Sequence, residues 1–219
     1  MNMSMPFSRK WRFSALLALV AVMTSGCYLP IRYDAEIEIT RTGHYSLIFD
    51  GYLVKVDLYD DLRNNKITPE EEREEIEKLR REFAVDNSAS DFSYFKKGYF
   101  RIHWERKGDL LKYRTVSFLR NSKTHLIFGI AYNKRSGRIG VTGKPLTADQ
   151  RKQLAEMGLG GVNGEIRVIS DLPQISNNAT KVKKNRSRGP GFKTYIWKIN
   201  NIFRPTPSVI FSIHGPRPQ

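Results

Sequence analysis

The sequence predicts an α+β domain: a twisted, mostly antiparallel sheet of about seven or eight strands, with two short helices on one face. Three observations carry this. Apolar and polar residues alternate over many short segments, turn residues separate those segments at hairpin spacing, and two stretches carry helix-start signals instead.

Residues 35–56 read as a β-hairpin. Ala35, Ile37 and Ile39 alternate with Glu36, Glu38 and Thr40, the period-2 pattern of a half-buried strand. Arg41-Thr42-Gly43 makes the turn and Tyr45 to Val56 returns, with Asp50-Gly51 suggesting a bulge or a second turn. Residues 57–84 form a helical insert. Thr68 reads as N-cap, Pro69 as the first helical residue, and Glu71 closes a capping box. Ile76, Leu79 and Phe83 make a narrow apolar stripe, and Glu74–Lys78 and Glu77–Arg81 are spaced for i,i+4 ion pairs on a solvated face.

From Phe92 to Val141 strand follows strand. Phe100, Ile102 and Trp104 alternate with Arg101, His103 and Glu105. Lys107-Gly108-Asp109 reads as a turn, Tyr113 to Leu119 as a strand, Asn121-Ser122-Lys123 as a turn, His125 to Tyr132 as a strand, and Arg138 to Val141 as the next. A second helix over about 148–157 starts at a Thr147 N-cap with Gln150 closing its box and Gly158 ending it. Gly160 to Gly164 reads as a loop. Strands at Glu165–Ser170, Lys193–Ile199 and Ser208–Ile213 complete a single domain over 35–214, followed by a frayed tail at 215–219.

The first 34 residues stand apart. Arg9, Lys10 and Arg12 precede the apolar run FSALLALVAVM, which gives way to Thr24-Ser25-Gly26 and then Cys27. A basic, apolar and small-residue order is that of a secretory signal peptide, and the run is too short for a membrane span of about 20 residues. Cys27 is the single cysteine, so it has no partner for an internal disulfide. Its setting resembles the lipobox of bacterial lipoproteins, with Thr24 where leucine is usual. That resemblance implies a signal peptide over 1–26, cleavage before Cys27, and acylation of its thiol with palmitate-type chains. Residues 27–34 then serve as anchor and tether. More than one acyl chain on the cysteine is what stable anchoring requires.

The formal net charge of +15 loses three cations with Arg9, Lys10 and Arg12, leaving about +12. For an exported protein the polyanions at hand are envelope lipids, glycolipids and wall polymers, and no nucleic acid is expected as a partner. Six cations, Lys181, Lys183, Lys184, Arg186, Arg188 and Lys193, stand in a stretch without a carboxylate. It reads as a hairpin loop, either a solvated turn or a surface that meets an anionic headgroup. The first five are the candidate anionic-ligand residues. The aromatic-rich strands leave a second question open. Phe100, Ile102, Trp104, Tyr195 and Trp197 either fill a core or line an apolar cavity.

Catalytic patterns are thin. His44, His103, His125 and His214 have no second ligand at metal spacing, and Asp57, Asp60 and Asp61 lack the order of a calcium loop. No catalytic residue, metal or cofactor is expected, and the chain reads as non-enzymatic.

The C-terminal third carries a family resemblance. The strand Glu165–Ile169, then Leu172-Pro173, Ile175-Ser176-Asn177-Asn178-Ala179, a variable loop and the strand with Tyr195-Ile196-Trp197 resemble the LppM-type lipoprotein domain of mycobacteria and related bacterial proteins. The amphipathic strand pair from Tyr33 to Val56 fits the same pattern. The resemblance implies an envelope lipoprotein with a mixed α/β ectodomain that binds lipid or glycolipid, and it supplies no catalytic residues. The expectation is thus a lipoprotein of the outer membrane, or of the extracytoplasmic face of the inner membrane, that binds an anionic lipid or glycolipid. The alternative is an assembly factor that docks on another envelope protein.

Overall fold

A computed structural model describes residues 28–118, 128–143 and 145–214. The chain opens with a long hairpin of β1 (Tyr28–Ile39) and β2 (His44–Lys55), then α1 (Val56–Arg63) and α2 (Pro69–Val85). A second hairpin, β3 (Ala89–Lys96) and β4 (Tyr99–Asp109), leads through α3 (Leu110–Tyr113) to the short strands β5 (Thr115–Ser117), β6 (Gly129–Asn133) and β7 (Arg138–Thr142). After α4 (Ala148–Glu156) come β8 (Gly161–Ser170), β9 (Gln174–Asn177), β10 (Lys181–Lys184), β11 (Lys193–Asn201) and β12 (Ser208–Ser212).

The class is α+β, as the periodicity predicts, but the strands divide between two sheets. The larger has seven strands in the order β10-β11-β8-β1-β2-β4-β3, and the smaller five in the order β5-β6-β7-β12-β9. All pairs are antiparallel except β1 with β8, which run parallel with Ala35 opposite Ile166. The parallel pair is central in the sheet, and its outer face carries Glu36, Glu165 and Arg167.

Alternation decides which face each sheet buries. One row across the large sheet runs Trp104, Phe49, Ala35, Ile166 and Trp197, in direct cross-strand register. One row of the small sheet runs Val116, Ile130, Val141 and Val209. These faces meet in one core. Phe118 locks them together, its ring 4.3 Å from Phe49 and 5.3 Å from Trp104, and Tyr195 meets Phe211 edge-on at 5.4 Å. Aromatic pairs in such geometry add about 0.5–1.5 kcal/mol each beyond the area they bury.

Several local expectations change. β1 begins at Tyr28, so the stretch taken as tether is strand up to Asp34. Its polar residues Arg32 and Asp34 sit on the solvated face, which conceals the alternation. Asp50-Gly51 makes neither turn nor bulge, since β2 runs straight through it. Gly51 is there because a β-carbon would lie 2.5 Å from that of Tyr33. The irregularity falls opposite, between Pro30 and Arg32. Lys107-Gly108-Asp109 continues β4, and Asp109 then caps α3 where a strand was expected. Gly161 to Gly164 belongs to β8, with Gly164 making room for the Tyr33 ring. The Asn121-Ser122-Lys123 turn, the start of the His125 strand and the tail at 215–219 lie outside the described residues.

The helices start where their signals stand. Thr68 and Thr147 both complete capping boxes, with Glu71 and Gln150. Leu79 and Phe83 are the buried residues of α2. The ion pairs within it are at i,i+3, Glu70–Arg73, Glu75–Lys78 and Glu77–Arg80, in place of the i,i+4 pairs expected. Asp57, Asp60 and Asp61 belong to α1 and are held by lysines: Lys55 on Asp57 at 3.0 Å, Lys66 on Asp60 at 2.6 Å and on Asp61 at 3.5 Å.

Candidate functional site

The fold has two chemically different ends. Tyr28 opens β1, the middle strand of the seven. Its ring packs 5.8 Å from Phe83 and 5.7 Å from Phe100, and its hydroxyl donates to Glu82 at 3.1 Å. Burial, with Glu82 beside it, pushes the phenol well above its ordinary pKa. The first described residue is therefore already held in the core. Cys27 itself lies outside the described residues.

The basic segment stands at the other end. Lys184 pairs with Lys193, Lys193 with Ser170, and Ser170 with Ile39, the last residue of β1. The segment is partly strand: Lys181, Lys183 and Lys184 lie exposed on β10, the free edge of the large sheet, and Arg186 and Arg188 occupy the turn. Arg188 reaches back to Glu38 at 2.9 Å. Lys181, Lys183, Lys184 and Arg186 have no ion-pair partner among the described residues.

The aromatic cavity candidates resolve differently. Phe100, Ile102, Trp104 and Tyr195 are 0% exposed and Trp197 4%. They are core, not cavity lining: the second sheet covers Trp104 and Tyr195 through Phe118 and Phe211, and Phe83 of α2 covers Phe100. Two surface clefts among the described residues are lined by other side chains. Trp104 donates its indole N–H to Asp86 at 2.9 Å, and Trp197 donates to Asn178 at 2.8 Å. The Tyr195 hydroxyl finds no protein partner among the described residues, and burial pushes its pKa up to about 12.

A second cationic cluster lies where no sequence motif pointed. The outer face of the small sheet carries a cleft of about 830 Å³ lined by Arg114, Lys134, Arg135 and Arg138. Ala131, Gly140 and Ile210, neighbours in the ladder, make its low floor. All four cations are exposed, and none has an ion-pair partner among the described residues. Arg114 follows α3 with φ of 59°, the left-handed C-cap conformation usually given to glycine. Hydrogen bonds tie this cleft to the end of the fold away from Tyr28. The Leu110 amide donates to Gly43 in the β1–β2 turn, the Arg114 amide to Leu110, and the Tyr132 amide to Arg114.

A simple count exposes the reason for both clusters. Residues 110–148 hold eight lysines and arginines and no carboxylate, and residues 172–219 hold nine and none. These two segments supply every strand of the small sheet together with β10 and β11. The acids lie elsewhere, chiefly on α1, α2 and the outer face of the large sheet.

That outer face is a neutralised surface. Arg167 bridges Asp34 at 3.3 Å, Glu36 at 3.3 Å and Glu165 at 2.9 Å. Arg101 and His103 both hold Asp50, at 2.9 Å and 3.3 Å. A polar cleft of about 610 Å³ between them is lined by Arg32, Asp34, Asp50, Arg101, Glu165 and Lys198 among others. Among the described residues no group of three His, Cys, Asp or Glu could hold a metal ion, and no helix is long and apolar enough to cross a membrane.

The fold defined by these elements is a two-sheet α+β domain. The chain is similar to the NMR structure of the LppM folded domain of Mycobacterium tuberculosis, at 14% identity, with 87% of this chain and 93% of that one covered and a TM-score of 0.42. This is the likeness that the strand and loop pattern of residues 165–213 leads one to expect. It is also similar to an M1 zinc metallopeptidase of Deinococcus radiodurans, at 9% identity over 85% of this chain and 42% of that one, with a TM-score of 0.36. No family profile and no curated protein sequence matches the chain.

Proposed function

We propose that this chain is a membrane-anchored envelope lipoprotein, held through an acylated Cys27, that binds an anionic lipid or glycolipid and catalyses no reaction. The observation that carries the binding is the absence of any carboxylate from residues 110–148 and 172–219, which hold seventeen cations. Charge of one sign gathered on one part of a fold raises the local concentration of anions and costs self-repulsion when none is present. The sequence order before Cys27 supports the anchor.

The ligand reading no longer rests on an apolar cavity. The five aromatic and aliphatic candidates fill the core, so the headgroup contacts fall to exposed cations: Lys181, Lys183, Lys184 and Arg186 at the hairpin, with Arg188 shared with Glu38. The lysines of β10 also blunt a free sheet edge, which disfavours strand addition by another envelope protein at that edge.

The test is native mass spectrometry of the protein extracted from its membrane. The expected mass is that of Cys27–Gln219 carrying a diacylglyceryl group, with a fraction bound to a phosphate- or acid-bearing lipid. An unmodified Cys27 in the processed chain rejects the anchor. A modified chain that never retains an anionic lipid rejects the binding.

A further inference from the structure

The proposed anchor and the basic surface lie at opposite ends of the fold. Residues 1–27 precede Tyr28, and Tyr28 is already fixed between Phe83 and Phe100 with its hydroxyl on Glu82. No free tether therefore separates the acylated cysteine from the sheet. β1 runs 12 residues from Tyr28 to Ile39. At about 3.3 Å per residue it carries the chain about 36 Å from its first residue to its last. The cation clusters stand at the Ile39 end: the hairpin through the Lys184, Lys193, Ser170 and Ile39 register, and the cleft of Arg114, Lys134, Arg135 and Arg138 through the Gly43, Leu110 and Arg114 bonds.

Screening makes the separation decisive. The Debye length is about 8 Å at physiological salt, so charges some 36 Å from a bilayer surface do not feel its potential. When β1 stands along the membrane normal, the basic end lies out of reach of the leaflet that holds the protein.

Resting on the anionic-lipid reading above, we infer that the basic end is a docking surface for an anionic phospholipid bilayer presented in trans, opposite the membrane that holds the anchor. Lys134, Arg135 and Arg138, with Arg114 beside them, meet the phosphates of the facing headgroups, and Lys184 and Arg186 extend the contact from the hairpin. The β6–β7 turn is backed by Ile213, whose amide donates to Gly137, and its Lys134 and Arg135 are exposed without an ion-pair partner among the described residues. The Tyr28 end is the reverse case. There the lysines and arginines in and beside α1 and α2 are interleaved with acids, as in Lys55–Glu75, Lys66–Asp60 and Arg73–Glu70.

The experiment uses the full acylated protein reconstituted by its anchor into neutral phosphatidylcholine vesicles. A second, differently labelled population of vesicles contains phosphatidylglycerol, and bridging is read by energy transfer between labels. Bridging is expected with the anionic population, absent with a neutral one, and abolished by raised salt. Lys134→Gln/Arg135→Gln/Arg138→Gln, all exposed, is expected to require on the order of tenfold or more anionic lipid for equal bridging. Lys96→Gln/Lys97→Gln, on the β3–β4 turn level with Tyr28, is expected to bridge as wild type does.

The outcomes separate the two readings. If the anchored protein fails to bridge while the unacylated Cys27→Ser chain binds the same anionic vesicles, lipid binding stands and the trans orientation is overturned. If neither binds, the anionic-lipid reading falls with it. Full bridging by the triple glutamine variant removes the cleft from the docking surface. Bridging between two neutral populations that both carry protein assigns the surface to a second copy and overturns the lipid occupant.

Discussion

At the scale of single residues, Asp86 shows how a buried carboxylate is made useful to the fold. Burial alone would raise its pKa, but the Trp104 indole, the Ser88 amide and the Arg106 guanidinium at 2.9 Å outweigh it and hold the carboxyl below its usual range. A carboxyl whose folded pKa is depressed stabilises the fold above its unfolded value of about 3.9. That contribution is lost as pH falls through the folded value. Asp86→Asn is therefore expected to cost about 1–3 kcal/mol at pH 7, since Trp104 and Arg106 keep at best a neutral partner. Chemical denaturation of both proteins between pH 7 and pH 2 checks it: the gap should narrow in acid, and an undiminished gap would show that the charge is not what matters. Residue-level reading of the sequence succeeded for caps and failed for neighbours. Thr68 and Thr147 were legible because a capping box is local. The need for Gly51 was not, because the atom it avoids belongs to Tyr33 on another strand. Phe100, Trp104 and Tyr195 look the same in sequence whether they fill a core or line a cavity. What covers them decides between the two: the second sheet over Trp104 and Tyr195, and α2 over Phe100.

At the scale of elements, α2 is a structural cover and not part of the basic surface. Its buried residues are Leu79 and Phe83, and Phe83 packs against Tyr28, Phe92 and Phe100. Its exposed charges pair with one another at i,i+3, which contributes only a few tenths of a kcal/mol each. Thr68→Ala removes the N-cap and is expected to cost about 0.5–2 kcal/mol of stability. Anionic-vesicle binding by the same variant should match wild type. Lost binding with unchanged stability would move this helix into the functional surface. The elements the sequence made legible are those with complete local signals: the first hairpin, α2, α4, β7 and the closing strands. β9 and β10 are four residues each and almost wholly exposed, so they carry no alternation to read. The short α3 sits where a strand pattern continues, and it exists because Asp109 caps it through the Leu111 amide at 2.8 Å.

At the scale of the whole molecule, the large-scale feature is the separation of charge between chain segments. It was open to inspection in the sequence, but a motif search looks for density in a window. The hairpin has that density over thirteen residues, whereas Lys134, Arg135 and Arg138 make only a short run, which Arg114 joins when β5, β6 and β7 come together. The division of the strands into two sheets was likewise not legible, because alternation reports a buried face without reporting what covers it. The proposed function stands on whether the acid-free half binds anions of a lipid surface by charge. The most direct measurement is sedimentation of the unacylated Cys27→Ser chain with phosphatidylglycerol-containing and with pure phosphatidylcholine vesicles over a series of salt concentrations. Binding to the anionic vesicles alone, weakening steadily as salt rises and lowered again by Lys183→Gln/Lys184→Gln/Arg186→Gln, is the predicted result. Equal binding to both kinds of vesicle, or binding indifferent to salt and to the loss of those cations, contradicts it.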